Sequence, residues 1–281
     1  QFSSVCGIDI AKSVMQVYKI SSDGVVSNKA VKRADFLNEF RNIPPALIGM
    51  EACGGSQHWA RELQSLGHTV RLMPPKLVKP YVTGLKNDKN DARGIYTALV
   101  MGVREVPVKS AAIRDLALLQ TMRAKRQREK VAKINHIRGI LTEYGLVMGK
   151  SLNAFLAKAR PLIVELKERA DVSPYIVSEL LALFQEVKEA MEKIKELETN
   201  IDSIAKTLKQ YDLFRSAPVV GSITAATMLV LLCNPAVFKN GREFAAYIGL
   251  APKSTGSGGK NVVTHIPKKY ECNNEVRALL V

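Results

Sequence analysis

The sequence predicts an α/β domain with a mixed sheet at its start, followed by a chain that is almost wholly helical. Three observations carry that prediction. Short β-branched runs fill the first residues and then alternate with helical spacings. Residues 111–145 hold a helical period with no proline. Apolar residues repeat every seven positions from Leu180 to Leu208.

In chain order, residues 5–10 and 14–20 read as strands, and Ser21-Ser22-Asp23-Gly24 turns the chain into a third strand at 25–31. That is an antiparallel meander. Residues 35–41 have helical spacing, 46–50 read as a buried strand, 56–66 as a helix and 68–73 as another strand, closed by Pro74-Pro75. A meander followed by strand, helix, strand is the order of a ribonuclease H-like sheet, in which the later strands add parallel to the first. A further helix is expected from near Asp88 to about Met101. The long helix at 111–145 carries Arg123, Lys125, Arg126, Arg128, Lys130, Lys133 and Arg138, with Glu129 the lone acid among them. Its Leu116, Leu119, Ile134, Ile137, Leu141 and Tyr144 can seat one face on a partner. The heptad Leu180, Val187, Ile194, Ile201 and Leu208, with Leu183, Ala190, Leu197 and Ile204 between, predicts a coiled coil within the chain or between subunits. After Asp212 the texture changes. An apolar helix reaches Leu232, the breaker Asn234-Pro235 follows, and then come a helix at 241–248, a Gly- and Ser-rich loop at 254–259 and a strand-like 261–266. The expected domains are therefore 1–104, 105–212 and 213–281.

At 281 residues the chain is long enough for more than one core. Its longest apolar run, residues 228–233, is far short of the roughly 18 residues that span a bilayer, so no membrane partner is expected. The start at Gln1 has neither a basic nor an apolar leader region and reads as trimmed, which predicts a cytoplasmic, nucleoid-associated protein. Cys6, Cys53, Cys233 and Cys272 lack the spacing of a zinc site or a disulfide framework and are expected as free thiols. The formal charge is +15, and each of the segments 1–100, 101–212 and 213–281 carries +5 of it. An excess spread this evenly suggests that several domains line one nucleic-acid path.

Asp9 interrupts the apolar run 5–10, where an uncompensated carboxylate is costly to desolvate. Glu51 ends the strand at 46–50, and a parallel neighbour would bring it beside Asp9. Asp88 and Asp91, three apart, share one helix face. Read alone, that pair is equally consistent with helix capping. Four converging carboxylates repel unless divalent cations lie among them, and magnesium, expected as two ions, suits hard oxygen ligands and phosphoryl transfer.

Gly7-Ile8-Asp9-Ile10-Ala11-Lys12, Met50-Glu51-Ala52 and Lys86-Asn87-Asp88-Lys89-Asn90-Asp91-Ala92 resemble the DEDD transposases of bacterial insertion sequences, a family that includes the pilin-gene invertase and the bridge-RNA-guided recombinases. The likeness extends over nearly the whole chain. It implies a fold like the Holliday-junction resolvase (RuvC-like) and magnesium bound at Asp9, Glu51, Asp88 and Asp91.

The terminal segment adds two readings. Pro218-Val219-Val220-Gly221-Ser222 resembles the start of a helix-hairpin-helix, which makes Gly221 a candidate for approach to a phosphate. Tyr247-Ile248-Gly249-Leu250-Ala251-Pro252, followed by Ser254-Thr255-Gly256-Ser257-Gly258-Gly259-Lys260, resembles the family's terminal motif, in which a serine before glycine is the nucleophile. Ser257 fits that place, with Ser254 and Thr255 as competing candidates and Lys260 as a neutralising charge. The sequence departs from the family near Cys272-Asn273, where a Gly-Asn or Gly-Asp pair is usual before the helix containing Arg277, and its end at Val281 reads as short of a tail. The resemblance implies a transposase and site-specific recombinase acting on donor and target DNA through a phosphoserine link. It also implies an active site shared between subunits of a dimer or tetramer, and a structured guide RNA encoded by the element. The basic residues of the long helix are candidates to touch either nucleic acid. Two rival expectations are a junction-type magnesium nuclease that activates water and a non-catalytic nucleic-acid scaffold.

Overall fold

The computed structural model describes residues 2–85, 87–235, 238–252, 254–257 and 260–263, with positions 277 and 279. Two compact units result, Gln1–Ser110 with Asn234–Val237, and Ala111–Cys233 with Phe238–Val281.

The first unit is a mixed α/β layer structure. Strands β1 (Ser4–Ile10), β2 (Val14–Ser21) and β3 (Val26–Lys32) form the expected antiparallel meander. β4 (Leu47–Glu51) adds parallel to β1 and β5 (Thr69–Met73) adds parallel to β4, giving the order β3-β2-β1-β4-β5. Strand alternation sorts the side chains. Cys6, Ile8, Met15, Val17, Ile48, Met50, Val70 and Leu72 point to one core, shared with Phe36, with Phe40 of the short helix α1 (Asn38–Arg41), and with Trp59, Ala60 and Leu63 of α2 (Ser56–Ser65). Helical spacing from residue 35 predicted more helix than α1 provides, because the chain enters through a run of turns at 33–37.

The other sheet face carries α3 (Pro75–Val78), a 3-10 turn at Lys79–Tyr81 and α4 (Asp88–Val100). Here Met73, Val78, Ile95, Ala98 and Leu99 form a second core with Val5 and Leu47 packed against it. Glycines allow the close seating of α4. A Cβ on Gly7 would stand 2.4 Å from Ala92 O and Tyr96 N, and one on Gly49 would stand 3.0 Å from Leu99. His68 is buried at the far edge of the unit; its Nδ1 accepts from Ala46 N (3.1 Å), so Nε2 carries the proton donated to Phe40 O (2.9 Å).

In the second unit α5 (Ala111–Glu143) packs against α7 (Pro174–Lys206). The ion pairs Arg123–Glu198 and Lys133–Glu186 show that the two run antiparallel within one chain. At one end Ile134, Ile137 and Leu141 meet α6 (Leu152–Leu166) and the first half of α7. The sequence reading did not anticipate α6, whose Phe155, Ala159, Ile163 and Leu166 stripe spans an exposed Pro161. At the other end Ile113, Leu116, Ile201 and Ala205 share a core with Tyr211 of α8 (Tyr211–Arg215) and with Ala225, Ala226 and Leu229 of α9 (Ser222–Leu231). Helices on both sides of residue 212 are thus packed together. On α7 the positions Leu180, Val187, Ile194 and Ile201 are buried, whereas Leu183, Ala190, Leu197 and Ile204 are only partly so. Phe184 and Ala205 complete the seam. With partners on more than one side, the apolar stripe widens beyond a strict two-position repeat.

Helix α10 (Gly241–Tyr247) follows, capped by Asn240. The expected loop at 254–259 is corrected. Residues Ser254–Ser257 form β6, paired antiparallel with β7 (Lys260–Val263), so that Ser257 lies opposite Lys260. Cys272-Asn273 and the linking Gly258-Gly259 lie outside the described residues. No helix among the described residues is long and apolar enough to cross a membrane.

Candidate active site

The register Ile8↔Met50 in the parallel pair β1–β4 sets the next residue of each strand, Asp9 and Glu51, at one level of the sheet edge. Both follow the alternation of Gly7 and Gly49 and therefore face α4. The first turn of α4 supplies Asp88 and Asp91. Neither aspartate caps the helix. Asn87 does so, its side-chain oxygen accepting from Asn90 N at 2.9 Å, which leaves both carboxylates available for other partners.

Asp9, Asp88 and Asp91 each offer an oxygen, and these atoms all lie within 4.8 Å of one another. Glu51 is not one of these three; it stands at the level of Asp9 on the neighbouring strand β4. Burial, reinforced by the charges of Asp91 and Asp88, pushes the Asp9 carboxyl above its ordinary range, against the pull of the Ile10 N–H. Burial, then Asp9 and Asp91, push Glu51 in the same direction. Three converging oxygen donors, with Asp9 and Asp91 half-buried and Asp88 exposed, fit a hard divalent cation. Cys53, just beyond β4, also has its thiol raised, by burial and then by Glu51 and Asp9.

Two polar residues beside this cluster were missed from sequence. Gln16 lies directly opposite Asp9 across β1–β2 and is only 5 % exposed. Its Nε2 donates to Asn28 Oδ1 on β3 at 2.7 Å. The available signal was a polar side chain within the apolar run 14–20, in alternation with the core-facing Met15 and Val17.

The basic residues of α5 divide by partner. Arg123, its side chain 18 % exposed, holds Glu198 through Nε (2.7 Å) and Nη2 (2.6 Å). Lys133 pairs with Glu186 and Lys125 with Glu129. Arg138 donates through Nη2 to the carbonyls of Gly149, Lys150 and Ser151, with its guanidinium 5.7 Å from the Phe155 ring centre. Arg126 and Arg128 are exposed, the latter donating to Ala124 O at 3.3 Å, and Lys130 is half-buried. In the turn before α9, Gly221 has an extended backbone open to any residue, whereas exposed Val219 takes the left-handed conformation at φ 67°.

Comparison with known proteins agrees with this arrangement. Residues 6–146 match a transposase family of the DEDD, IS110 type, and residues 211–281 match the IS116/IS110/IS902 transposase family. A protein described as "Probable family 20 transposase" from Pseudomonas aeruginosa is 34% identical over 281 residues, covering 98% of this chain and 81% of that protein. The transposase for insertion sequence element IS1111A of Coxiella burnetii is 34% identical over 279 residues, 99% of this chain and 76% of its own length. That for element IS1328 of Yersinia enterocolitica is 27% identical over 280 residues, 99% and 82% respectively. The chain belongs to the DEDD, IS110-type family of insertion-sequence transposases.

Proposed function

We propose that this transposase cuts and rejoins DNA through a phosphoserine intermediate, with magnesium held by Asp9, Glu51, Asp88 and Asp91 and with Ser257 as the nucleophile. The observation that carries the metal half is the meeting of three aspartate oxygens within 4.8 Å, with capping left to Asn87. Bound there, magnesium would polarise the scissile phosphate and stabilise the entering and leaving oxygens. Four carboxylates offer enough ligands for two ions.

Ser257 Oγ forms a bond to phosphorus as the bond from phosphorus to one deoxyribose oxygen breaks. The serine proton is lost and the departing oxygen gains one; the reverse exchange on a new strand completes the transfer. Ser254 and Thr255 are the competing hydroxyls on the same strand. Lys260, opposite Ser257 in the hairpin, would supply positive charge near the phosphate.

The likeness to guided members of the family supports a structured RNA as second partner and an active site shared between subunits of a dimer or tetramer. In that reading residues 1–104 hold the metal, 213–281 bring the nucleophile and 105–212 bind nucleic acid and hold subunits together. Gly221 and the α5 cations, the exposed Arg126 and Arg128 foremost, are the contacts proposed for DNA or RNA.

The Ser257→Ala variant tests the nucleophile. Loss of the covalent protein–DNA adduct together with strand exchange is expected on denaturing gels with labelled DNA. Cleavage that persists without an adduct would instead establish the water-activating nuclease, and cleavage untouched by Asp9→Asn would leave only a binding scaffold.

A further inference from the structure

We propose that Gln16 and Asn28 are positioning residues of the metal centre, acting through a hydrogen-bonded chain that ties the first turn of α4 to the sheet. Gln16 Nε2 donates to Asn28 Oδ1 at 2.7 Å, and Asn28 Nδ2 donates to the carbonyl of Lys89 at 3.1 Å. Lys89 lies between Asp88 and Asp91 in the turn that presents both carboxylates. The chain therefore begins opposite Asp9 on the neighbouring strand and ends on the backbone that carries the other two members of the cluster.

The position of Gln16 makes this more than a surface contact. A buried amide is costly to desolvate unless it is bonded, and an apolar side chain would fill the same strand position without that cost. Because Asn28 gives its oxygen to Gln16, its amide nitrogen is turned toward α4; one bond orients the other. Asn87 and Asn90 shape the turn from within its own segment, through Asn87 Oδ1 to Asn90 N and Asn90 Nδ2 to Leu85 O. The Asn28 bond instead fixes that turn against an outside frame. Such a frame is needed because Asp9, Asp88 and Asp91 repel one another, and the repulsion drives the start of α4 away from β1. Removing the tether lets the turn relax outward, so that a cation must draw it back on binding.

The inference rests on the reading of the carboxylates as a cation site, and the test separates the two. The full-length chain is titrated with Mn2+, with free ion read by electron paramagnetic resonance, and melting is recorded without metal. Asn28→Ala is expected to raise the dissociation constant about tenfold, the scale of lost partners behind metal ligands. Gln16→Met, which keeps the volume and loses the donor, is expected to act in the same direction. The double variant should bind no more weakly than Asn28→Ala, since both changes break one chain. In strand cleavage the Mg2+ concentration for half-maximal rate should rise while the rate at saturating Mg2+ recovers. A lowered melting temperature with an unchanged dissociation constant would overturn the proposal and assign both residues to stability alone. Wild type that binds Mn2+ no better than Asp9→Asn would overturn the cation site and the inference with it. Asn28→Ala equal to wild type, with Asp9→Asn defective, would overturn the inference alone.

Discussion

Asp9 pairs across β1–β2 with a glutamine and faces two aspartates, so its ionisation is opposed by burial and by like charge together. Between the ordinary carboxylate range and the raised folded values of Asp9 and Glu51, the folded chain holds more protons than the unfolded one. These two groups therefore favour folding at lower pH, and that advantage is lost as pH rises through the window. Asp9→Asn removes the principal charge. The metal-free variant should melt above wild type at neutral pH, with the gap narrowing toward about pH 4, where ordinary carboxylates protonate. Magnesium should reverse the order. At about 100 times its dissociation constant it adds about 2.7 kcal/mol to a protein that binds it and nothing to one that does not. Differential scanning fluorimetry across pH, with and without Mg2+, makes the comparison, and strand cleavage by Asp9→Asn should be lost.

Helix α4 works because it can come close to the sheet. Gly7 leaves no room for a side chain against the backbone of Ala92 and Tyr96, so Gly7→Ala must displace helix or strand. Such overpacking costs about 1–3 kcal/mol, and the displacement also carries Asp88 and Asp91 away from Asp9. Chemical denaturation should show the stability loss, and Mn2+ titration should show weaker binding than the loss of folded protein explains. A different constraint governs α5. Its basic run reads from sequence as a uniform nucleic-acid face, yet Arg123 is occupied by Glu198 along the seam with α7 and Arg138 by the carbonyls before α6. A cation on a long helix can serve the neighbouring helix as readily as a phosphate, and charge alone does not separate the two uses.

At the scale of the molecule, the carboxylates and the proposed serine belong to different compact units. If subunits exchange these parts, as the family likeness suggests, Asp9→Asn and Ser257→Ala proteins should each be inactive alone. Mixed before assembly, the two should regain about a quarter to a half of strand exchange, by random pairing of complementary halves in a dimer. Gel assays on mixtures at varied ratios would show it, and mixtures that stay inactive would place the serine and the carboxylates of one reaction in a single chain.

The order of the five strands and of α1, α2 and α4 was legible because alternation and helical periods record which side of an element meets the core, whereas the short α3 after Pro74 was not anticipated. Asp9 and Glu51 were legible as charges ending or interrupting apolar runs. Less legible were α6, masked by Pro161, and the strand at Ser254–Ser257, whose small polar residues show no alternation of apolar and polar types in the sequence. The motif at 86–92 named Asp88 and Asp91 without saying whether they cap the helix or converge on Asp9. That answer required Asn87 to occupy the cap and Gly7 to admit the helix. By itself the sequence determined which residues are proposed for phosphoryl transfer, because side-chain chemistry and local period are written residue by residue. Only the tertiary structure decided which of them meet, because the approach of α4 to β1, the Gln16–Asn28 tether and the pairing of Arg123 with Glu198 each depend on groups far apart in the chain.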